Sequence, residues 1–182
     1  MRFLSLISIS GLLVFFFSGC EKNTNNNPVP VISFKSFTVS QTADSATLQI
    51  NFTDGDGDIG YPAQDPTAPY NFFIQYWYST DTLSTSLAQF PDTAIFKPYI
   101  NINQNPPDTL LYSYHIPDIT QPGKNKSLTG IIQIIVSGTP PLGWFVNYAS
   151  APYRNFFQYK VWIYDRAGHK SNVITTPIEQ GL

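Results

Sequence analysis

Ala46-Thr47-Leu48-Gln49-Ile50-Asn51-Phe52 alternates apolar and polar residues, then runs into Thr53-Asp54-Gly55-Asp56-Gly57-Asp58-Ile59-Gly60. Successive side chains of an extended strand point to opposite faces. Leu48, Ile50 and Phe52 therefore line one side, and Thr47, Gln49 and Asn51 the other. The glycine–aspartate run that follows is turn chemistry and ends the strand. The same reading extends outward in both directions. Residues 31–39 predict a strand with a register break near Lys35 to Phe37, and residues 71–80 (NFFIQYWYST) predict a central strand, apolar on both faces. Further strands are predicted over residues 94–102, 110–116, 128–137, 156–164 and 172–178. Helical periodicity is nearly absent. Seven to eight strands joined by turns predict an all-β domain, an immunoglobulin-like antiparallel β-sandwich, with a closed barrel as its rival. No internal repeat points to a propeller or a solenoid.

Composition narrows the function classes. Only 12% of the 182 residues are charged, about half the usual share, so Asn, Gln, Ser, Thr and Tyr must clothe the surface. Net charge is −2 and no basic cluster occurs, so neither nucleic acid nor an anionic lipid surface has an electrostatic footprint here. There is one cysteine, Cys20, so the fold must hold without an intrachain disulfide.

The first residues read as an export signal. Arg2 is followed by a predominantly apolar stretch from Phe3 to Phe17, which suits a signal-peptide core and is short for a membrane-spanning helix. Phe17-Ser18-Gly19-Cys20 resembles the bacterial lipobox, with Phe in place of the usual Leu at its first position. That resemblance implies cleavage after Gly19 and a diacylglyceryl thioether on Cys20, which becomes the mature N-terminus. The alternative is an ordinary secretory signal with an incidental cysteine. The expected organisation is a signal peptide over residues 1–19, a lipidated cysteine and Asn/Pro-rich tether over 20–30, and a single β-sandwich over 31–182. The expected location is the cell envelope, with the lipid on Cys20 in the outer membrane.

Two loops carry chemistry. In the first, Asp54, Asp56 and Asp58 alternate with glycines, so their carboxylates can converge on one cation. Calcium, which takes six to eight oxygens, is the expected ion. The loop is not an EF-hand: glycine falls at its seventh position, Pro62 at its ninth, and Asp65 rather than Glu at its twelfth. An acidic β-turn without metal is the other reading. The second loop is Asp165-Arg166-Ala167-Gly168-His169-Lys170-Ser171-Asn172, a hairpin with Gly168 at the left-handed position. Asp165 can simply bond to the amides of its own turn. In an immunoglobulin-like sandwich, however, this hairpin and the first loop share one pole, which would make Asp165 a fourth ligand.

Three blocks, FTDGDGDIG (residues 52–60), SLTGIIQIIV (127–136) and YDRAGHKSNVITTP (164–177), together resemble an uncharacterised family of lipoproteins from the Bacteroidetes group. The resemblance implies a signal, a tether and a β-sandwich, and no established activity. The final hairpin is also similar, more distantly, to those of cadherin-like and fibronectin-like domains.

Signatures of catalysis are missing. His115 and His169 belong to no zinc-type pair, there is no G-x-S-x-G elbow and no phosphate loop, and no pair of opposed carboxyls is left for a glycosidase. A noncatalytic envelope module, acting in binding or as a spacer on a protein or glycan partner, is therefore expected. The second reading is a carbohydrate-binding accessory lipoprotein. It would use Trp144, Phe145 and Tyr148 of the long loop 138–155, whose rings otherwise fold back as a cap. Trp77 and Trp162, both within strands, are expected in the core.

Overall fold

The computed structural model describes residues 27–40, 45–62, 65–79, 88, 95–101, 106–109, 111–119, 127–137 and 154–180. They form eleven strands: β1 (Val31–Val39), β2 (Ser45–Asp54), β3 (Phe72–Ser79), β4 (Phe96–Pro98), β5 (Ile100–Asn101), β6 (Asp108–Thr109), β7 (Leu111–Tyr114), β8 (Leu128–Ser137), β9 (Arg154–Ile163), β10 (Ile174–Thr175) and β11 (Glu179–Gln180). Every strand pairing is antiparallel. One sheet runs β1-β2-β8, and the larger runs β10-β9-β3-β4, with β11 beside β9 and β7 beside β3. Among the described residues the hydrogen-bonded path thus forms separate sheets and not one closed ring. The protein is all-β.

The alternation of β2 sets the inner face of the smaller sheet. Leu48, Ile50 and Phe52 are 0–3% exposed, and with Ile32, Leu128, Ile132 and Val136 they meet Phe72, Ile74, Tyr76, Phe157, Tyr159, Val161 and Ile163 of the larger sheet in one core. Phe37 of β1 reaches across the gap, its ring 6.1 Å from Phe157 and 5.6 Å from Tyr159. The two sheets therefore pack face to face, so burial requires only one apolar face from each strand. Asn172 also ties them at one margin: its side chain accepts from the Ile32 N–H at 2.8 Å and donates to the Ile32 carbonyl at 2.9 Å.

Several expected strands are subdivided. The register break in β1 is a bulge between Phe34 and Ser36. The stretch expected over 94–102 splits into β4 and β5 at Tyr99, whose N–H turns to the Tyr76 carbonyl. The strand expected over 172–178 is shortened to β10 because Thr176 turns inward: its hydroxyl accepts from the Tyr159 N–H at 2.9 Å, and Pro177, which has no N–H, follows it; β11 forms beyond that stretch. His115 stands one residue past the end of β7 rather than within a strand.

Trp77 and Trp162 are not core residues. Strand parity explains why. Ile74 and Tyr76 of β3, and Val161 and Ile163 of β9, occupy the inward positions. Their sequence neighbours Phe73, Trp77 and Trp162 must face outward, where they are half-buried. Trp162 stacks on Phe73 at 5.7 Å and 9°. The ammonium groups of Lys160 and Lys170 lie 3.6 Å and 4.7 Å from the centroids of Trp77 and Trp162. Cation–π contact and the lysine stems cover rings that the core has no room for.

Candidate metal centre

The pole where β2 ends gathers four carboxylates. Asp54 is the last residue of β2, and its partner Leu128 opens β8. Asp54 points inward by the same parity as Ile50 and Phe52, so it is 1% exposed. The chain then turns sharply. Asp54 Oδ2 accepts from the Asp58 N–H at 2.9 Å, and Gly57 takes a φ of 68°, which glycine adopts without a Cβ penalty. Ile59, fully buried, pins the loop to the core. Gly60 has a φ of 89° and lies flat against the Pro117 carbonyl, and beyond it Tyr61 pairs with Pro117. These constraints bring Asp56 and Asp58 back toward Asp54.

The fourth group comes from the hairpin after β9. Asp165 is 1% exposed and accepts twice from one residue: Oδ1 from the His169 N–H at 2.7 Å, Oδ2 facing His169 Nδ1 at 2.8 Å. Gly168, with a φ of 87°, closes the turn. The hairpin is fastened to the first loop by the Arg166 N–H, which donates to the Asp58 carbonyl at 3.2 Å, while the Arg166 guanidinium pairs with Asp118 at 3.3 Å.

Carboxylate oxygens of Asp54, Asp56, Asp58 and Asp165 all lie within 4.8 Å of one another. In the same cluster, the Oδ1 atoms of Asp54, Asp56 and Asp58 are buried with no hydrogen-bond partner. Burial first, and then repulsion from Asp56, raises the Asp54 carboxyl from 3.8 to about 6, against the lowering effect of the Asp58 amide. Burial and the neighbouring Asp165 and Asp56 raise Asp58 as well, with Arg166 opposing. The bond to Asp165 raises His169. Buried anions with orphaned lone pairs are costly in isolation. A cation placed among them would remove both the repulsion and the missing partners, so the cluster can hold a metal ion.

All four aspartates singled out in the sequence are thus brought together at one pole. Asp165 accepts from its own turn and also lies beside the other three carboxylates. His169, four residues on in the same hairpin, contacts Asp165 through both its N–H and its ring. Cys20, and Trp144, Phe145 and Tyr148 of the long loop, lie outside the described residues. Among the described residues no helix is long and apolar enough to cross a membrane. Comparison with protein-family models, with curated proteins and with solved structures gives no match.

Proposed function

We propose that the chain is a noncatalytic, lipid-anchored β-sandwich module of the bacterial cell envelope, acting in binding or as a spacer, whose aspartate pole binds calcium. The observation that carries the calcium reading is the set of three orphaned, buried carboxylate oxygens inside a four-aspartate cluster. Ligands on opposite sides of a calcium ion, at 2.3–2.6 Å each, stand about 4.6–5.2 Å apart. Oxygens within 4.8 Å of one another can share a coordination sphere of that size. Four monodentate aspartates leave room for carbonyls, water or bidentate contacts to complete six to eight ligands.

The order β1-β2-β8 facing β10-β9-β3 supports an immunoglobulin-like assignment, in which the first, second and fifth strands share a sheet opposite the third, sixth and seventh. The pole then joins the loop after the second strand to the final hairpin, and an ion there would stiffen both. Lipid attachment rests on the Phe17-Ser18-Gly19-Cys20 sequence, and the Bacteroidetes resemblance on the three blocks, two of which supply the aspartates.

Calorimetric titration of calcium into chelator-stripped protein tests the proposal. A dissociation constant of about 0.1 mM is expected, which at millimolar calcium adds roughly 1.4 kcal/mol to stability. Asp56→Asn abolishes both the heat and the rise in melting temperature, while leaving the far-ultraviolet β spectrum intact. A flat titration together with an unchanged melting curve overturns the calcium reading.

A further inference from the structure

The two edges of the smaller sheet are built on opposite principles. On β1, the bulge between Phe34 and Ser36 carries the exposed Lys35, and the Asn172 side chain occupies both backbone groups of Ile32. A charge, a bulge and a plug are the devices by which a sheet edge refuses another strand. Among the described residues β8 has none of them. Its ten residues, LTGIIQIIVS, include no charge and no proline, it pairs with β2 through all ten positions without a register shift, and among the described residues it has no strand on its other side. Ile131 and Ile135 stand 51% and 63% exposed on its outward face. Beside β8 an open groove of about 230 Å³ runs between residues of both its faces, Ile131 to Ile134, and the segment after β7, with His115 and Ile119 in its lining.

We infer that β8 is a docking edge for the β8 strand of a second copy of this chain, paired antiparallel about a two-fold axis at Gln133. The sequence of β8 is complementary to itself in that register. Ile131 meets the copy's Ile135, and on the inward side Ile132 meets Ile134 beside the groove. An uncharged strand also meets its copy without repulsion. A hydrogen-bonded ladder already crosses the sheet toward this axis: the Ser36 hydroxyl donates to Gln49 Oε1 at 3.2 Å, and Gln49 Nε2 donates to Gln133 Oε1 at 2.8 Å. Gln133 Nε2 is the next donor in that row, and on the axis the two Gln133 amides complete each other. Such pairing extends the sheet from three strands to six through backbone hydrogen bonds.

Sedimentation velocity and oxidative cross-linking on the full chain in mild detergent test this. Residues directly opposite one another across an antiparallel pair lie within disulfide reach, at about 4.5–5.5 Å between Cα atoms. Gln133→Cys is therefore expected to give a covalent dimer, while Lys35→Cys on the other edge stays monomeric under the same oxidation. Gln133→Lys and Gln133→Glu, both surface substitutions, should each weaken the dimer about tenfold or more by placing like charges opposite each other, and mixing the two variants should restore it. A wild-type chain that sediments as a monomer at about 0.1 mM overturns the inference. So does a Gln133→Cys variant that cross-links no better than Lys35→Cys, or a Lys/Glu mixture that stays dissociated.

Discussion

A methyl group at Gly60 would sit 2.1 Å from the Pro117 carbonyl oxygen, on a backbone whose φ of +89° side chains already disfavour. Gly168 has nearly the same φ of +87° with nothing within 4 Å of the added carbon. The pair separates two costs. Gly168→Ala should lose about 1–2 kcal/mol from the left-handed backbone alone, whereas Gly60→Ala should lose clearly more, since Pro117 or the aspartate loop must also move. Urea melts of the two variants measure the difference, and Gly60→Ala should weaken calcium binding as well. The aspartates give a pH prediction for the chelated protein. Asp54 has a folded value of about 6 against 3.8, so between those values the folded state holds more protons than the unfolded one. Stability from this group is therefore highest in acid and falls as pH rises from about 4 to 6. His169 acts in the same direction, because its bond to Asp165 raises it above 6.5 and its contribution is lost as pH rises through that elevated value. Chelated protein should melt higher at pH 5 than at pH 8, with Asp54→Asn removing about 1 kcal/mol of that difference. Calcium, which needs the carboxylates ionised, should reverse the trend.

Among the secondary elements, the margin of the sandwich depends on a side chain rather than a strand. Asn172 closes the β1 edge with two hydrogen bonds to Ile32, joining the segment before β10 to the opposite sheet. Asn172→Ala removes both, and a loss of about 1–3 kcal/mol is expected in chemical denaturation, since each such bond contributes about 0.5–1.5 kcal/mol. The same substitution frees a strand edge, so slower-sedimenting material should give way to larger species as concentration rises. Thr176 plays a comparable part in β9, where its hydroxyl and N–H serve both backbone groups of Tyr159 and allow the last strand to be interrupted at Pro177. Aromatic packing divides along strand parity: Tyr76, Phe157 and Tyr159 gather with Phe37 inside, and Phe73 and Trp162 stack outside.

For the molecule as a whole, the proposed calcium pole, the proposed β8 docking edge and the proposed lipid on Cys20 are three separate attachments. Cys20→Ser should release the protein from the membrane fraction and abolish incorporation of labelled palmitate. Two or more acyl chains give stable anchoring, and none gives no anchor. A soluble wild-type chain with an unmodified thiol would contradict the anchor. Loss of the lipid should leave the calcium-dependent melting shift intact, because residues 27–180 hold the whole aspartate cluster.

The alternation of residues 46–52 was enough to assign the inner and outer faces of β2, because strand periodicity is local and needs no partner. The bulge in β1, the central place of β3 and the positive φ of Gly168 followed from equally local chemistry. The four aspartates could be named from the two loops, but their approach to within 4.8 Å, the three orphaned oxygens and the grip of His169 on Asp165 depend on β2 and β9 ending at the same pole. The outward placing of Trp77 and Trp162 was likewise hidden, since two-sided apolar strands do not reveal which face meets the other sheet. Period and turn chemistry are written along the chain; which sheet faces which, and so which charges are forced together, is decided only when distant segments share one core.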